Sequence, residues 1–484
     1  MKFNKKVIIC MIMILSMLLG GCGTSLGSSV KKVKLDPDNP TKVTIWHYYN
    51  GDQLEAFNKL IDEFNGSVGK KEGIYVEGSN FGTVNELKDS IGAAVKHRTG
   101  AEAIPNIFAG YADTVYEVDK LGYVVDLKEY LTQEEQDKYI KSYIEEGEFS
   151  GDGSLKIFPT AKSTEIFMLN KTDWNKFAEA TGADLNDLKT IEGVTKTAQA
   201  YYEWTDSQTK KKNDGKAFFG RDALANYFII GAKQLGTEIF SVKDGKVTLD
   251  FDKEVIRKIW DNYYVPFAKG YFAASGKFRS DDINTGNILS FVGSSAGATF
   301  FPDEVIVDDT RSYPIDMEVL EAPEFEGGED YAVQQGAGMA VTKTDEKQMY
   351  ASVQFLKWFT EDERNIQFSV ASGYLPVTKT ANDVKKIEET TDLTGNNELP
   401  IVKAAIDTVN HNTLYTTKAF EDGTDARSIL EYAMSDKASA DRKTVVKRLE
   451  KGESFDEAVK DFVSDSNFDT WYEETKAELE KLVK

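Results

Sequence analysis

The sequence predicts an α/β fold that ends in a helical region, and three observations support this. Short β-branched and aromatic runs alternate with amphipathic helical runs through the first 122 residues. The middle of the chain is richer in helical patterns, and from Asp345 onward the chain is largely helical. Because strand–helix–strand repetition favours parallel strands joined by crossover helices, we expect a parallel sheet in the N-terminal part.

The individual elements follow from composition and spacing. Strands are predicted where β-branched and aromatic residues cluster: 43–48, 74–76, 107–109 and 155–158. Helices are predicted where apolar residues recur every three or four positions: 54–64, 87–95, 114–122, 173–180, 191–204, 223–235 and 253–264. Residues 242–247 read as a hairpin, since Asp244-Gly245 suits a type I′ turn.

The N-terminus has the pattern of an export signal. Three lysines at positions 2, 5 and 6 precede the apolar run 7–20, which is too short to cross a bilayer core of about 30 Å. The run ends in Leu-Gly-Gly-Cys22, the pattern of a lipoprotein signal, so we expect a signal peptide over 1–21 and a lipid on Cys22. The alternative is an ordinary secretory signal in which this cysteine occurs by chance. Residues 23–29 are rich in Gly and Ser, as in a flexible tether.

The composition of the chain limits the classes of function that it can have. The other cysteine, Cys10, lies inside the predicted signal, so no disulfide is expected and the mature chain must rely on its core. The 484 residues have a net charge of −22, which becomes −25 without the three N-terminal lysines. Such a chain is repelled by nucleic acid and by anionic headgroups, so we expect no nucleic-acid binding and membrane contact only through the lipid anchor.

One short motif raises the possibility of an enzyme. Residues 293–297, Gly-Ser-Ser-Ala-Gly, match the G-x-S-x-G pattern of a serine hydrolase, with Ser295 as the nucleophile. His411 is the single histidine after Ser295 in the sequence, and no loop signature surrounds it. A small-residue turn explains the same motif, because turns favour Gly and Ser. A pair of carboxylates, as in a glycosidase, also stays open among 80 acidic residues.

Metal and cofactor motifs are missing from the sequence. There is no H-E-x-x-H, no phosphate-binding G-x-x-x-x-G-K-[ST] and no complete dinucleotide fingerprint. We therefore expect neither a metal nor a cofactor. Instead, aromatic and polar side chains follow the predicted strands, where ligands of open α/β sheets bind. They suit sugar rings and hydroxyls and comprise 46–50, Tyr111, Asp113, 162–165, 218–219, Arg221, Asp222, Asn226 and Tyr227.

Several stretches, taken in order, resemble the extracellular solute-binding proteins of bacterial ABC importers. The resemblance is to the group that includes maltose-, oligosaccharide- and glycerol-phosphate-binding proteins, and it covers nearly the whole mature chain. The residues on which it rests are 43–65, 105–131, 157–174, 334–343 and, most specifically, VQFLKWFTEDERNIQFSVASGYLPVTKTA at 353–381.

The resemblance implies two α/β lobes with a ligand cleft between them, closed by hinge motion. The first lobe would comprise 41–159 and 325–360, and the second 160–324 and 361–484, after a lipidated tether at 22–40. A monomeric binding protein that delivers its ligand to a membrane permease is the implied function. The implied and pattern-based ligand contacts are His47, Tyr48, Tyr49, Asp52, Tyr111, Asp113, Ser163, Thr164, Glu165, Arg221, Asp222, Asn226, Ser294, Ser295, Gly336, Tyr374 and Arg427.

One difference from the glycerol-phosphate-binding proteins of this group predicts the charge of the ligand. Where glycerol-phosphate binders have a phosphate-pairing arginine, this chain has Phe420-Glu421-Asp422, and Arg427 lies about two turns away. A carboxylate there would repel phosphate, which favours a neutral oligosaccharide or glycoside. Arg221, Lys162 or Arg427 could still serve an anionic ligand, such as glycerol 3-phosphate or a glycerophosphodiester.

Overall fold

The computed structural model describes residues 30–243, 246–391 and 398–483. Cys22, the predicted signal and the tether at 23–29 lie outside these residues, as does the Asp244-Gly245 turn. No helix in the described part of the chain is both long enough and apolar enough to span a membrane.

Strands and helices alternate as the sequence predicts. The strands are β1 (Thr41–His47), β2 (Ile74–Asn80), β3 (Ile107–Gly110), β4 (Glu165–Asn170), β5 (Phe219–Arg221), β6 (Phe240–Lys243), β7 (Lys246–Leu249), β8 (Ser290–Ser294), β9 (Glu304–Asp308), β10 (Arg311–Pro314), β11 (Met317–Glu321), β12 (Tyr331–Val333), β13 (Gly338–Val341) and β14 (Thr413–Tyr415). The helices up to the middle of the chain are α1 (Gly51–Gly66), α2 (Val68–Glu72), α3 (Val84–Val95), α4 (Ala112–Lys120), α5 (Gln133–Gln136), α6 (Lys141–Glu145), α7 (Lys171–Thr181), α8 (Ile191–Ser207), α9 (Leu224–Gln234), α10 (Lys253–Asp261), α11 (Tyr264–Lys269) and α12 (Arg279–Asn284). The later helices are α13 (Glu346–Phe359), α14 (Asp362–Ser372), α15 (Val384–Thr390), α16 (Glu398–His411), α17 (Gly423–Glu450), α18 (Phe455–Val459) and α19 (Asp465–Leu482). Short 3₁₀ helices occur at Leu127–Glu129, Leu185–Lys189 and Ser295–Phe300.

The first lobe contains the expected parallel sheet. Its strand order is β13-β3-β1-β2, with β1 parallel to both β2 and β3. The late strand β13 adds antiparallel to β3, so a segment far along the chain completes the edge. The apolar residues of α1 that recur every three or four positions (Phe57, Leu60, Ile61 and Phe64) are buried against this sheet.

The second lobe has a mixed sheet, which the sequence does not predict. Its order is β11-β4-β8-β5, with β4 antiparallel to both of its neighbours and β8 parallel to β5. All six residues of β4 are buried. Because both of its faces are covered, β4 has the continuous apolar run of an internal strand rather than an alternating pattern.

Two other predicted elements differ in detail. The single helix expected over 253–264 is two helices, α10 and α11, with the break at Asn262 and Tyr263. Asn262 leaves the helical backbone after α10, and Pro266, which has no N–H, lies in the first turn of α11. The strand expected at 155–158 is reduced to an isolated bridge between Phe158 and Met339.

The C-terminal region is helical, and most of it packs on the second lobe. Helix α17 contacts α9, α11 and α19, and its buried residues join the core of that lobe. Helix α14 instead packs against α1 of the first lobe, while Ile366 and Val370 of the same helix contribute to the second lobe's core. This helix therefore links the two lobes.

Candidate functional site

A cleft between the two lobes lies at the carboxyl ends of strands from both sheets. Tyr111 and Asp113 follow β3 in the first lobe, and Ala223 and Asn226 follow β5 in the second. A cavity of about 390 Å³ lies between the lobes. Side chains that line it come from both: Lys88, Tyr111, Asp113, Glu146, Asn226, Phe240, Gln334, Gln335, Phe420, Thr424, Arg427, Ser428, Glu431 and Tyr432.

Asp113 is the carboxylate of this cavity that is most available to a ligand. It lies in the first turn of α4, directly after β3, and helix α17 of the other lobe begins beside it at Gly423. No hydrogen-bond donor of the described residues reaches its oxygens. Burial between the lobes raises its pKa to about 6, although the charges of Arg427 and Lys88 act in the opposite direction. A carboxylate this desolvated and unpaired is a strong acceptor for ligand hydroxyl groups.

Arg427 is held in place by a chain of buried polar groups. Its Nη2 donates to Oδ1 of Asn226 at 2.7 Å, and Nδ2 of Asn226 donates to Glu165 at 2.9 Å. The other oxygen of Glu165 accepts from Arg221 at 2.5 Å, and the Arg221 guanidinium lies 5.0 Å from the ring centre of Tyr227. Because both ends of the Asn226 amide are engaged, its orientation is determined. Arg427 is thereby aimed into the cleft with most of its five donors unused.

Three tyrosines form an aromatic wall beside Asp113. Tyr48 follows β1, Tyr111 follows β3, and Tyr374 comes from the turn after α14. Burial raises the pKa of each phenol. Tyr111 and Tyr374 raise the pKa of Tyr48 further, whereas hydrogen bonding to Tyr48 lowers the pKa of the other two, so the three hydroxyl groups lie close together. Tyr111 is still 41% exposed, so its ring is accessible from the cleft. Tyr49 is buried in the core of the first lobe, where it packs against Phe57.

The Ser294–Ser295 turn does not form a hydrolase site. Ser294 ends β8 and its hydroxyl lies 3.3 Å from that of Ser163, while a 3₁₀ helix follows instead of the α-helix of a nucleophile elbow. The Ser295 hydroxyl is fully buried and has no hydrogen-bond partner in the described part of the chain. Nδ1 of His411 lies 3.5 Å from Glu321, and His411 does not hydrogen-bond to Ser295. Among the described residues, Ser295 therefore has no base within hydrogen-bonding distance.

Other predicted contacts lie away from the cavity. His47 is 1% exposed, accepts from the Tyr49 N–H at 3.2 Å, and has a pKa lowered to about 4 by burial. Asp52 is exposed in the first turn of α1. Asp222 accepts from the Arg279 N–H at 3.0 Å within the second lobe. Thr164 is buried and donates to the Val333 carbonyl.

Gly336 lies where the two connecting segments meet. Its φ is +91°, and a Cβ there would lie 2.9 Å from the Ala161 carbonyl. Beside it, the fully buried Lys162 donates to Glu146 at 2.5 Å and to the Gly336 carbonyl at 2.7 Å. Glu146 also accepts from Gln334 at 2.5 Å. Lys162 is thus a structural partner of Glu146, not a free cation for a ligand.

Several cavity side chains have no signal in the sequence. Lys88 and Asn85 come from α3, Glu146 follows α6, and Thr424, Glu431 and Tyr432 line one face of α17. The spacing of the α17 residues marks one side of a helix, which is typical of any amphipathic helix. Only the packing of the lobes reveals that this side faces a ligand cavity. Among the described residues, no cluster of His, Cys, Asp and Glu is arranged to hold a metal ion.

Comparison with known proteins gives a family and a fold. The sequence model described as "Bacterial extracellular solute-binding protein" matches residues 59–395, more than half of the chain. No curated protein sequence is significantly similar.

Solved structures share the two-lobed fold at low identity. A cyclic α-maltosyl-1,6-maltose binding protein from Arthrobacter globiformis superimposes with a TM-score of 0.65 at 18% identity, over 92% of this chain and 100% of that one. UgpB from Mycobacterium tuberculosis, in complex with glycerophosphocholine, gives 0.65 at 19% identity over 85% and 98%. An ABC substrate-binding protein from Listeria monocytogenes, in complex with cycloalternan, gives 0.61 at 15% identity over 88% and 99%.

Proposed function

The chain belongs to the family of bacterial extracellular solute-binding proteins, and on this premise we propose that it captures a carbohydrate by closure of its two lobes. The ligand is an oligosaccharide or glycoside, which the protein delivers to the permease of an ABC importer. Proteins of this family work on the outer side of the cytoplasmic membrane. We propose that this one acts there as a monomer tethered by a lipid on Cys22.

The unpaired carboxylate of Asp113 is the observation on which the proposal rests. A partly buried carboxylate without a protein donor binds readily to a ligand that supplies one. Sugar hydroxyls supply such donors, and the neighbouring ring of Tyr111 offers a face for the C–H side of a sugar. Arg427, pointing into the same cavity, can donate to hydroxyl oxygens. Together these groups suit a ligand with many hydroxyls and one apolar face.

The charge of the cavity favours a neutral ligand. Glu421 does not contribute to the charge of the cavity, because its carboxylate pairs with Lys120 at 3.0 Å and lies outside the cavity. The carboxylates that line the cavity are Asp113, Glu146 and Glu431, against the cations Lys88 and Arg427. Because Lys162 offsets the charge of Glu146, a phosphate would have to approach chiefly within the field of Asp113 and Glu431.

A second candidate is a glycerol phosphate or glycerophosphodiester. The observation that favours it is that Arg427 has no carboxylate within 4.0 Å in the described residues, which leaves its guanidinium able to pair with phosphate. Arg221 is a poor alternative, because it is already bonded to Glu165. The third possibility, a serine hydrolase, has no support from the surroundings of Ser295 and His411.

The experiment is thermal unfolding of the purified chain with neutral mono- and oligosaccharides, glycerol phosphates and glycerophosphodiesters. A ligand present at 100 times its Kd stabilises by about 2.7 kcal/mol. The same panel is applied to Asp113→Asn and Arg427→Gln. We expect one neutral sugar class to raise the midpoint of the wild type, and the shift to shrink in both variants.

Two other results would change the conclusion. A shift with the phosphates alone, lost in Arg427→Gln, would establish the second candidate. Stabilisation that fades on long incubation, with release of a hydrolysed product, would show turnover and reject a pure binding role.

A further inference from the structure

A second pocket, lined by three cations, lies in the second lobe far from the cleft. We call it the basic pocket and define it by Lys216, Arg442 and Lys443. Its volume is about 400 Å³. Its other lining residues are Gly215, Ala217, Phe267, Gly270, Phe272, Ala273, Ala274, Ser275, Gly286, Asn287 and Ser439, and none of them is acidic.

The basic pocket lies at the end of the second sheet opposite to the cleft. Residues 215–217 and 286–287 precede the parallel strands β5 and β8, whose carboxyl ends face the cleft. Helix α17 contributes to both sites, so its geometry gives the distance between the cleft and the basic pocket. Arg427 in the cleft and Arg442 in the basic pocket are 15 residues apart on it, or about 22 Å at the rise of an α-helix. The two sites are therefore separate.

Arg442 stands apart from the other arginines. Arg221, Arg257, Arg279, Arg311, Arg364 and Arg448 each form a salt bridge. Arg98 is fully at the surface. Of the nine arginines, all of them in the described residues, only Arg427 and Arg442 are partly buried without a carboxylate within 4.0 Å. One of these lines the ligand cleft, and the other lines the basic pocket.

The contacts that Arg442 does make are weak. Its Nη1 donates to the Ala268 carbonyl at 3.4 Å, which is long for such a bond. Burial lowers the pKa of Arg442, and the nearby phenols of Tyr202 and Tyr271 offset this only in part. The Tyr202 hydroxyl interacts with Arg442 as a hydrogen-bond partner, which raises the pKa of the guanidinium against the effect of burial. Arg442 therefore has neutral partners, a phenol and a carbonyl, but no carboxylate within 4.0 Å in the described part of the chain.

Glycine keeps the guanidinium close to the backbone. Gly270 has φ of +87°, and a Cβ there would lie within 2.8 Å of three guanidinium atoms of Arg442. The arginine is thus pressed against the end of α11, which explains its partial burial. The carbonyl groups at that helix end stabilise a cation, but the long bond to Ala268 and the contact with Tyr202 leave most of the five donors free.

From these observations we infer that the basic pocket binds an oxyanion, namely a phosphate group or a chemically similar anion. A guanidinium with free donors binds phosphate oxygens in bidentate fashion, and the two exposed lysines supply further positive charge. Ser275, Ser439 and Asn287 place polar groups around it. A pocket lined by three cations and no acidic residue is notable in a chain with a net charge of −22. This inference does not depend on the ligand of the cleft.

The test is binding of inorganic phosphate to the full chain by calorimetry and thermal unfolding, at constant ionic strength against chloride. The variants are Arg442→Gln, the double change Lys216→Gln with Lys443→Gln, Arg427→Gln in the cleft, and Arg98→Gln at the surface. The two lysines are exposed, so the double variant changes charge without disturbing packing.

We expect phosphate to stabilise the wild type, Arg98→Gln and Arg427→Gln alike. Arg442→Gln should weaken binding by roughly tenfold or more, because a charge-assisted bond is lost. The lysine double variant should weaken it as well. Equal phosphate binding by the wild type and Arg442→Gln would refute the inference, and so would binding that is lost only in Arg427→Gln.

The phosphate group could belong to a free solute or to a lipid headgroup. Co-sedimentation with phosphatidylglycerol vesicles, against phosphatidylcholine vesicles, separates these sources when the wild type and Arg442→Gln are compared, since their N-termini are identical. Sedimentation that depends on Arg442 would identify a lipid headgroup, and phosphate binding without it a soluble anion. If neither phosphate nor vesicles distinguish the two proteins, Arg442 only caps α11 and the inference fails.

Discussion

Replacing Asp113 by asparagine should make the unliganded protein more stable while weakening ligand binding. The change removes a charge and keeps the shape of the side chain. In the folded protein burial raises the pKa of Asp113 from 3.8 to about 6. The folded chain therefore holds this proton more tightly than the unfolded chain, so stability is lost as the pH rises from 3.8 to 6. Above pH 6 the whole penalty is present.

The size of the penalty follows from the shift. About two pKa units correspond to about 3 kcal/mol, which is an upper limit. Asp113 is only partly buried in a cleft that water can enter, so screening reduces this to about 1 kcal/mol. For a domain of 150–250 residues, 1 kcal/mol moves the midpoint by about 2–4 °C. Loss of a charged acceptor should cost the ligand about 1.5–3 kcal/mol, or roughly tenfold to a hundredfold in affinity.

The assay is thermal unfolding at pH 7.5 and pH 4, with and without the sugar that stabilises the wild type. We expect Asp113→Asn to unfold at a higher temperature than the wild type at pH 7.5, and the difference to vanish near pH 4. The matched control is Asp62→Asn, because Asp62 is exposed on α1. It should change neither stability nor affinity appreciably.

A variant that is less stable than the wild type at pH 7.5 would show that Asp113 has a stabilising partner. If its affinity is also unchanged, Asp113 does not contact the ligand, and the cleft must bind through other groups.

Arg427→Gln should weaken ligand binding by roughly tenfold or more, since a charge-assisted bond to the ligand is lost. The unfolding midpoint of the unliganded protein should change little. Titration calorimetry measures the affinity, and an unchanged affinity would exclude Arg427 from the site. Lys162→Met leaves the buried carboxylate of Glu146 unpaired and should destabilise by about 3–5 kcal/mol. Adding Glu146→Gln should recover part of this in denaturant unfolding, whereas no recovery would show that the loss comes from packing. His47 has its pKa lowered to about 4, so the folded chain binds this proton more weakly than the unfolded chain, and stability falls as the pH drops from 6.5 to 4. His47→Leu should flatten this dependence by up to about 3 kcal/mol between those pH values, and an unchanged slope would contradict the buried, neutral imidazole.

The sequence was a good guide to elements formed by local pattern. Apolar spacing in α1 and α3, and β-branched runs in β1 and β3, reflect one face packing against a sheet, so they are visible without the fold. The same logic placed Tyr111 and Asp113 at a ligand edge, because the residues after parallel strands meet there. The prediction of a single helix over 253–264 was wrong, because the helix breaks at Asn262 and Tyr263 although the apolar residues keep their helical spacing.

Local sequence pattern could not show which of the predicted site residues face the cleft, because this depends on partners far away along the chain. His47 is the last residue of β1 and Tyr111 is the first after β3, but His47 is buried in the lobe core and Tyr111 is open to the cleft. Which direction each faces depends on how α1 and the opposite lobe pack. Glu165 and Asn226, 61 positions apart, become one polar chain only when β4 and α9 meet.

By itself, then, the sequence determined the class of fold and the order of strands and helices in the first lobe, and it predicts an export-type N-terminus and the strand ends where a ligand would lie. All of these depend on residues close together along the chain. The tertiary structure alone decided that Arg427 and Asp113 share one cavity and that, among the described residues, no base reaches Ser295 and no carboxylate pairs with Arg442. Such facts concern side chains from different lobes or layers, and burial and pairing are properties of their final packing, which no local pattern encodes.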